Sequence, residues 1–365
     1  MLNKKVLIFS LAYTPLEGGA EIAVKEITNR IQGIDFDMVT MRFNKSHPAQ
    51  EKIGNINVYR INSSKTLFPI EAFLFAKRLH QKNQYDAIWS IMAARAGAAA
   101  LFFKYNFPRV KYILTLQEGD PIRYMKRRSL YWVNPLFTKI FIKADVIQAI
   151  SVYLADYAKI MGYRKIVDVI PNGVDVASFH NPNPKLHEPL KTLITTSRLV
   201  GKNAVGDIIG ALNFLPANVK LQILGSGPLE AELRRKVTNQ NLDSRVEFLG
   251  NVPNDDIPKY LHNADVFIRP SIAEGFGISF IEAMAAGLPV IATQVGGIVD
   301  FIKDGETGLF ADVRSPESVA KQVKKLMNDT SLRRKIIENG LKLVKERYEW
   351  DLVVKQMEQK VFSAI

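Results

Sequence analysis

Cysteine is absent from this 365-residue chain, and only five histidines are present. The first absence removes disulfides, thiolate nucleophiles and thiolate metal sites together, and it fits a reducing compartment. The histidines are scattered without ligand spacing, and the single Asp-x-Asp, Asp35-Phe36-Asp37, leads into an apolar run instead of following one. No metal and no cofactor is therefore expected. Long hydrophobic runs are missing too. Even AIWSIMAARAGAAALFF contains Arg95, and so falls short of the ~18 uninterrupted residues that span a bilayer. The N-terminal KVLIFSLAY follows lysines as a signal peptide would, but it is short and runs straight into a glycine loop and an amphipathic segment. It reads as a first strand, with a cleaved signal as the alternative. A cytoplasmic chain with at most peripheral membrane contact is expected.

What the chain has in excess is positive charge, +13 in total and unevenly placed. Residues 1 to 180 hold 25 Lys and Arg against 14 Asp and Glu, whereas residues 181 to 365 hold 24 against 22. A basic field confined to one half favours an anionic partner there, whether lipid surface, phosphate-bearing substrate or nucleic acid. With 47% hydrophobic residues, the chain can bury a large core, and its length suits two domains.

Short apolar runs rich in β-branched residues (KVLIFSLA, DFDMVTMRF, VYRI, DAIWSIM, KYILTLQ) alternate with amphipathic segments such as EIAVKEITNRIQ. That rhythm predicts a parallel sheet covered by helices. It restarts after the polar, proline-bearing HNPNPKLHEPLK with KTLITTSRL, VKLQILG, VEFLG, ADVFIRP and LPVIAT. The expectation is an α/β chain of two doubly wound domains, residues 1–178 and 190–348, with an amphipathic 349–365 joining the first. Ligands of such sheets sit beyond the strands' carboxyl ends, so the chemistry should lie in post-strand loops.

Four loops carry it. Gly18 and Gly19 open a helix after the first strand, where first-turn amides and the dipole suit an anion. The spacing is not G-x-G-x-x-G, and the second strand ends VTMRF with no acid, so NAD binding is disfavoured. Arg198 and Lys202 at the exit of KTLITTSRL offer two cations to a diphosphate. QILGSGP places Gly225 after another strand. Finally, EGFGISFIEAMAAG puts Glu274 ahead of a short helix and Glu282 inside it, with the amides of Phe276, Gly277 and Ile278 at its start. Two carboxylates for hydroxyls, one at each end of a diphosphate, describe a nucleotide-sugar site. Each loop alone fits a plain structural role as well: a tight turn, a solvated cation pair, a buried paired acid.

Taken in order, these pieces resemble the retaining GT-B glycosyltransferases of family four, also called glycosyl transferases group 1. The resemblance runs through EGGAE (17–21), ADVIQAIS (144–151), IPNGVD (170–175, with Asn172), SRLVGKN (197–203), LGSGP (224–228), FLGNVP (248–253), EGFGISFIE (274–282), AGLPVIAT (286–293), VGGIVDFI (295–302) and DGETGLF (304–310). It implies two Rossmann-like domains facing across a cleft. It also implies metal-free transfer of a hexose from a UDP- or GDP-sugar, with retention by front-face attack. Glu282 would hold the ribose; Glu274 and the backbone of Phe276 and Gly277 would hold the sugar. Arg198, Lys202, Gly18 and Gly19 would bind the diphosphate, and the residues near Val252 the base. The first domain departs from the family pattern: where His or Asp is often found, this chain has Gln117, with Glu118 and Asp120 beside it. The phosphate lysine commonly precedes a glycine, whereas Lys202 precedes Asn203 and Ala204.

For the acceptor, PIRYMKRRSLYWVNPLFTKIFIKA interleaves Arg123, Lys126, Arg127 and Arg128 with Trp132 and other aromatics and holds no acid. This suits contact with an anionic membrane, and hence a lipid-linked or polysaccharide acceptor; a packed helix with a solvated basic face is the alternative. A nucleotide-sugar epimerase of the same fold would need paired acid/base residues and a cleft histidine, neither evident. Nucleic-acid binding has only the charge in its favour, with no motif beside it, and nucleic acid is not an expected partner.

Overall fold

The computed structural model describes residues 3–16, 18–120, 135–182 and 189–365. The chain forms two compact units, Met1–Gly173 with Trp350–Ile365, and Val174–Glu349.

The first unit is built on an eight-stranded sheet: β1 (Lys4–Phe9), β2 (Ile34–Met41), β3 (Gln50–Ile53), β4 (Ile56–Ile61), β5 (Ala87–Ile91), β6 (Lys111–Leu116), β7 (Val146–Ala149) and β8 (Val167–Val169). Their order is β3-β4-β2-β1-β5-β6-β7-β8. All pairs are parallel except β3–β4, an edge hairpin the apolar rhythm does not announce because QEKI is polar and only half-buried. Val6 to Phe9 are fully buried, as expected for a central strand covered on both faces. The C-terminal segment closes this core: the Phe362 ring lies 5.3 Å from Trp89 and 6.1 Å from Phe36, edge-on to both.

The second unit has six parallel strands, β9 (Thr192–Thr196), β10 (Lys220–Leu224), β11 (Val246–Gly250), β12 (Val266–Arg269), β13 (Val290–Thr293) and β14 (Leu309–Ala311). They are ordered β11-β10-β9-β12-β13-β14. Chain order reverses between β9 and β12, so the crevice for a ligand opens at the carboxyl ends of those two strands. The equivalent point in the first sheet lies between β1 and β5.

The boundary between units falls at Gly173, earlier than the polar 178–190 stretch. The reason is local. Val174 donates its amide to Tyr348 O at 2.7 Å, and Phe179 O meets His262 Nε2 at 2.8 Å, so the short helix Val176–Phe179 belongs to the second unit. Among the described residues no helix is long and apolar enough to cross a membrane.

Candidate functional site

In the second unit, the loops leaving β9 and β12 meet over a charged network. Arg269, the last residue of β12, donates from Nη2 to Glu274 Oε2 at 2.5 Å and to Asn203 Oδ1 at 3.2 Å, and from Nη1 to Ser279 Oγ at 2.9 Å. Asn203 passes the connection on, donating to Arg198 O at 2.7 Å. Ile272 N donates to Lys202 O at 2.6 Å, which stitches the two loops together by backbone. Glu274, Arg198 and Lys202 are thus brought together at the switch point. Arg198 is exposed and its side chain has no partner among the described residues.

Arg269 is the residue the sequence reading missed. A guanidinium ending the apolar run VFIRP is the signal that was available, because a charge there needs a buried partner. Its side chain and that of Glu274 are 13% and 11% exposed, so this is an interior ion pair. Glu274 Oε1 accepts the Gly275 amide at 3.1 Å, which still leaves lone pairs on a carboxylate that offers about four.

Glu282 lies in the helix Ile278–Ala285 and is 6% exposed. Its carboxylate has no hydrogen-bond partner among the described residues. Burial pushes its pKa up to about 7, against the pull of the Arg269 charge. At the start of the same helix the amides of Phe276, Gly277 and Ile278 donate to no acceptor among the described residues; such amides need a ligand or water. The Phe276 ring itself packs against Phe301 and Tyr348, with centroids 5.2 and 5.6 Å away, so its side chain belongs to the core.

The loop's shape depends on Gly296. Its φ is +54°, and a Cβ there would lie 1.9 Å from Glu274 O, beside the bond that Gly297 N gives that oxygen at 3.1 Å. Gly296→Ala is expected to displace the Glu274 backbone and cost on the order of 2 kcal/mol, read as a lower urea midpoint and a weakened thermal response to donor nucleotide. Gly225, at φ +123°, is required for the same reason, since a Cβ would sit 2.1 Å from Ser197 O; its position serves the approach of two loops. Nearby, Ser226 Oγ donates to Asn251 Oδ1 at 2.8 Å, linking the exits of β10 and β11 beside half-buried Val252.

The first unit places its expected residues differently. Gly18 donates its amide to Glu21 Oε2 at 2.9 Å, so that amide is engaged, whereas the amide of Gly19 has no partner among the described residues. Gln117 and Asn172 pair, Nδ2 of the latter donating to Oε1 of the former at 3.1 Å, and Asn172 is 5% exposed. Glu118 Oε1 accepts the Ala93 amide at 2.7 Å, while Oε2 is buried with no partner among the described residues. Desolvation raises its pKa, three backbone amides oppose that, and Asp120 adds to the rise. Glu118 therefore anchors the β5 exit, which is a positioning task. Asp37 of the Asp-x-Asp is buried among Tyr85, Asn57 and Asn83, whose groups it accepts. Arg123, Lys126, Arg127, Arg128 and Trp132 lie outside the described residues.

The comparisons decide the family. Residues 178–343 match the family described as Glycosyl transferases group 1, and residues 17–178 match Glycosyltransferase Family 4. The chain belongs to the GT-B glycosyltransferases of family four. This glycosyltransferase is 27% identical over 363 residues to an uncharacterized glycosyltransferase of Methanocaldococcus jannaschii, with 97% of each chain covered. It is 26% identical over 378 residues, again with 97% of each covered, to the GDP-mannose-dependent alpha-(1-6)-phosphatidylinositol monomannoside mannosyltransferase of Mycobacterium tuberculosis. Its fold is that of Anabaena HepE, solved in complex with UDP and glucose, at a TM-score of 0.82 and 21% identity with 100% of each chain covered.

Proposed function

We propose that this glycosyltransferase moves a hexose from a UDP- or GDP-sugar to a hydroxyl of a lipid-linked or polysaccharide acceptor in cell-envelope synthesis, with retention at the anomeric carbon. The observation that carries the donor reading is Glu282: a carboxylate 6% exposed, with no hydrogen-bond partner among the described residues, in a helix whose opening amides are also unpaired. A ribose diol donating to that carboxylate, and donor oxygens accepting from those amides, would satisfy both. Glu274, steadied by Arg269 and Gly275, holds hydroxyls of the transferred sugar. In the reaction, the acceptor oxygen bonds to the anomeric carbon on the face from which the carbon–oxygen bond to diphosphate breaks. The acceptor's proton passes to the departing diphosphate. Arg198 and Lys202 stabilise the charge on that leaving group, so no resident metal is invoked. The relatives' names support the donor class: GDP-mannose for the mycobacterial enzyme, UDP and glucose for HepE. The first unit takes the acceptor at the membrane's cytoplasmic face.

A thermal-shift screen of UDP, GDP and their sugars tests the reading. A stabilisation of several degrees with one base, abolished by Glu282→Ala, is expected; a shift that survives Glu282→Ala removes the ribose assignment. Product analysis then separates sugar transfer from epimerisation, since an epimerised donor with no acceptor product would overturn transfer.

A further inference from the structure

Exposed apolar side chains are ordinary when scattered, but contiguous ones mark an interaction surface. In the first unit three of them follow helical spacing. Leu67 caps the helix Phe68–Asn83, and Leu67, Ile70 and Leu74 are 51%, 51% and 48% exposed. Steps of three and four residues place them on one outward stripe, opposite Phe68, Ala72 and Ala76, which are fully buried. The same stripe continues into exposed Arg78 and Lys82. Phe43, 40% exposed at the exit of β2, has Lys65 Nζ 5.8 Å from its ring centroid, and Lys65 lies two residues before Leu67 in the chain. Between residues 62 and 83 four cations face a single acid, Glu71, whose Oε2 is buried.

We infer that the outward face of the helix Phe68–Asn83 docks this protein on an anionic lipid bilayer. Half-exposed aliphatic side chains ringed by lysine and arginine form the arrangement that sinks into the headgroup boundary while its cations meet anionic lipid. The charge argues for lipid as the occupant: the half of the chain that holds this face has 25 cations against 14 acids, the other half 24 against 22. This deepens the proposal of a lipid-linked acceptor, yet vesicle binding reports on the surface whether or not a sugar is transferred.

The test is sedimentation of the full chain with vesicles of phosphatidylcholine alone and of phosphatidylcholine with phosphatidylglycerol. Wild type should partition onto the anionic vesicles, less so as salt rises. Ile70→Glu with Leu74→Glu should lower that partition about tenfold or more, while Val313→Glu, at an exposed residue of the second unit, leaves it unchanged. Ile70→Ser with Leu74→Ser guards against misfolding: with a wild-type melting temperature it should still bind more weakly. The inference is overturned if wild type ignores anionic vesicles, or if the serine pair melts and binds like wild type. It is equally overturned if binding is lost only with Lys126→Glu, Arg127→Glu and Arg128→Glu together.

Discussion

Raising the pH from 6 to 8 should tighten nucleotide-sugar binding by the wild-type protein about tenfold, and Glu282→Gln should flatten that dependence. The Glu282 pKa, lifted to about 7 by burial, makes the acid mostly neutral at pH 6 and mostly ionised at pH 8. Only the ionised form accepts from both ribose hydroxyls with a charge-assisted bond. Affinity therefore climbs by up to a factor of about ten per pH unit below 7 and levels off above it. A nucleotide-sugar is the right probe, because its esterified diphosphate lacks the second ionisation near pH ~6 of a terminal phosphate. Calorimetric titration across this range reads the effect, and a level wild-type profile would sink it.

The same shift has a stability counterpart of opposite sign. An acid whose folded pKa is raised binds its proton more tightly when folded. Stability of the unliganded protein should therefore fall as pH rises from about 4.5 to about 7, then show no further change from this group. Glu282→Gln removes that slope and should stabilise the unliganded chain at pH 8 while weakening its ligand. A side chain that costs stability and gains only when a ligand arrives is what a binding residue looks like in energetic terms.

Much of this was legible in the sequence because strand and helix patterns are local. Alternating apolar runs foretold both sheets, and the ordered glycine and carboxylate loops foretold the family. What was not legible is which group each polar side chain meets in space, near or far along the chain. Arg269 meets Asn203 from 66 residues away, and no periodicity announces such a pair. Gly18 was expected to offer its amide to a ligand, yet Glu21, three residues on, takes it, a capping arrangement hidden by the motif that contains both. Glu118, beside the departing Gln117, shows nothing of its partner in one dimension. In three it is committed to the Ala93 amide, because the β5 exit lies beside the β6 exit in the sheet.

Arg269→Ala is expected to be the most damaging single change at this site. It strands the Glu274 carboxylate, 11% exposed, and leaves Asn203 Oδ1 and Ser279 Oγ without their donor. Breaking an interior ion pair on one side costs about 3–5 kcal/mol, mostly as the uncompensated charge that remains. A second effect follows from the pull Arg269 exerts on Glu282: without that cation the Glu282 pKa rises further, and the pH at which donor affinity levels off should move upward. Arg269→Lys separates the two consequences. Its ammonium keeps the positive charge and so holds the binding profile near the wild-type one, but a compact charge cannot reach Glu274, Asn203 and Ser279 together as the fork does. Most of the stability loss should therefore persist. Arg269→Met with Glu274→Gln removes both charges and should recover stability while leaving sugar transfer abolished. Urea denaturation and donor titrations of the three variants check this. An Arg269→Lys protein with an upward-shifted binding profile, or an Arg269→Ala protein as stable as wild type, would show that the guanidinium is not the centre of this network.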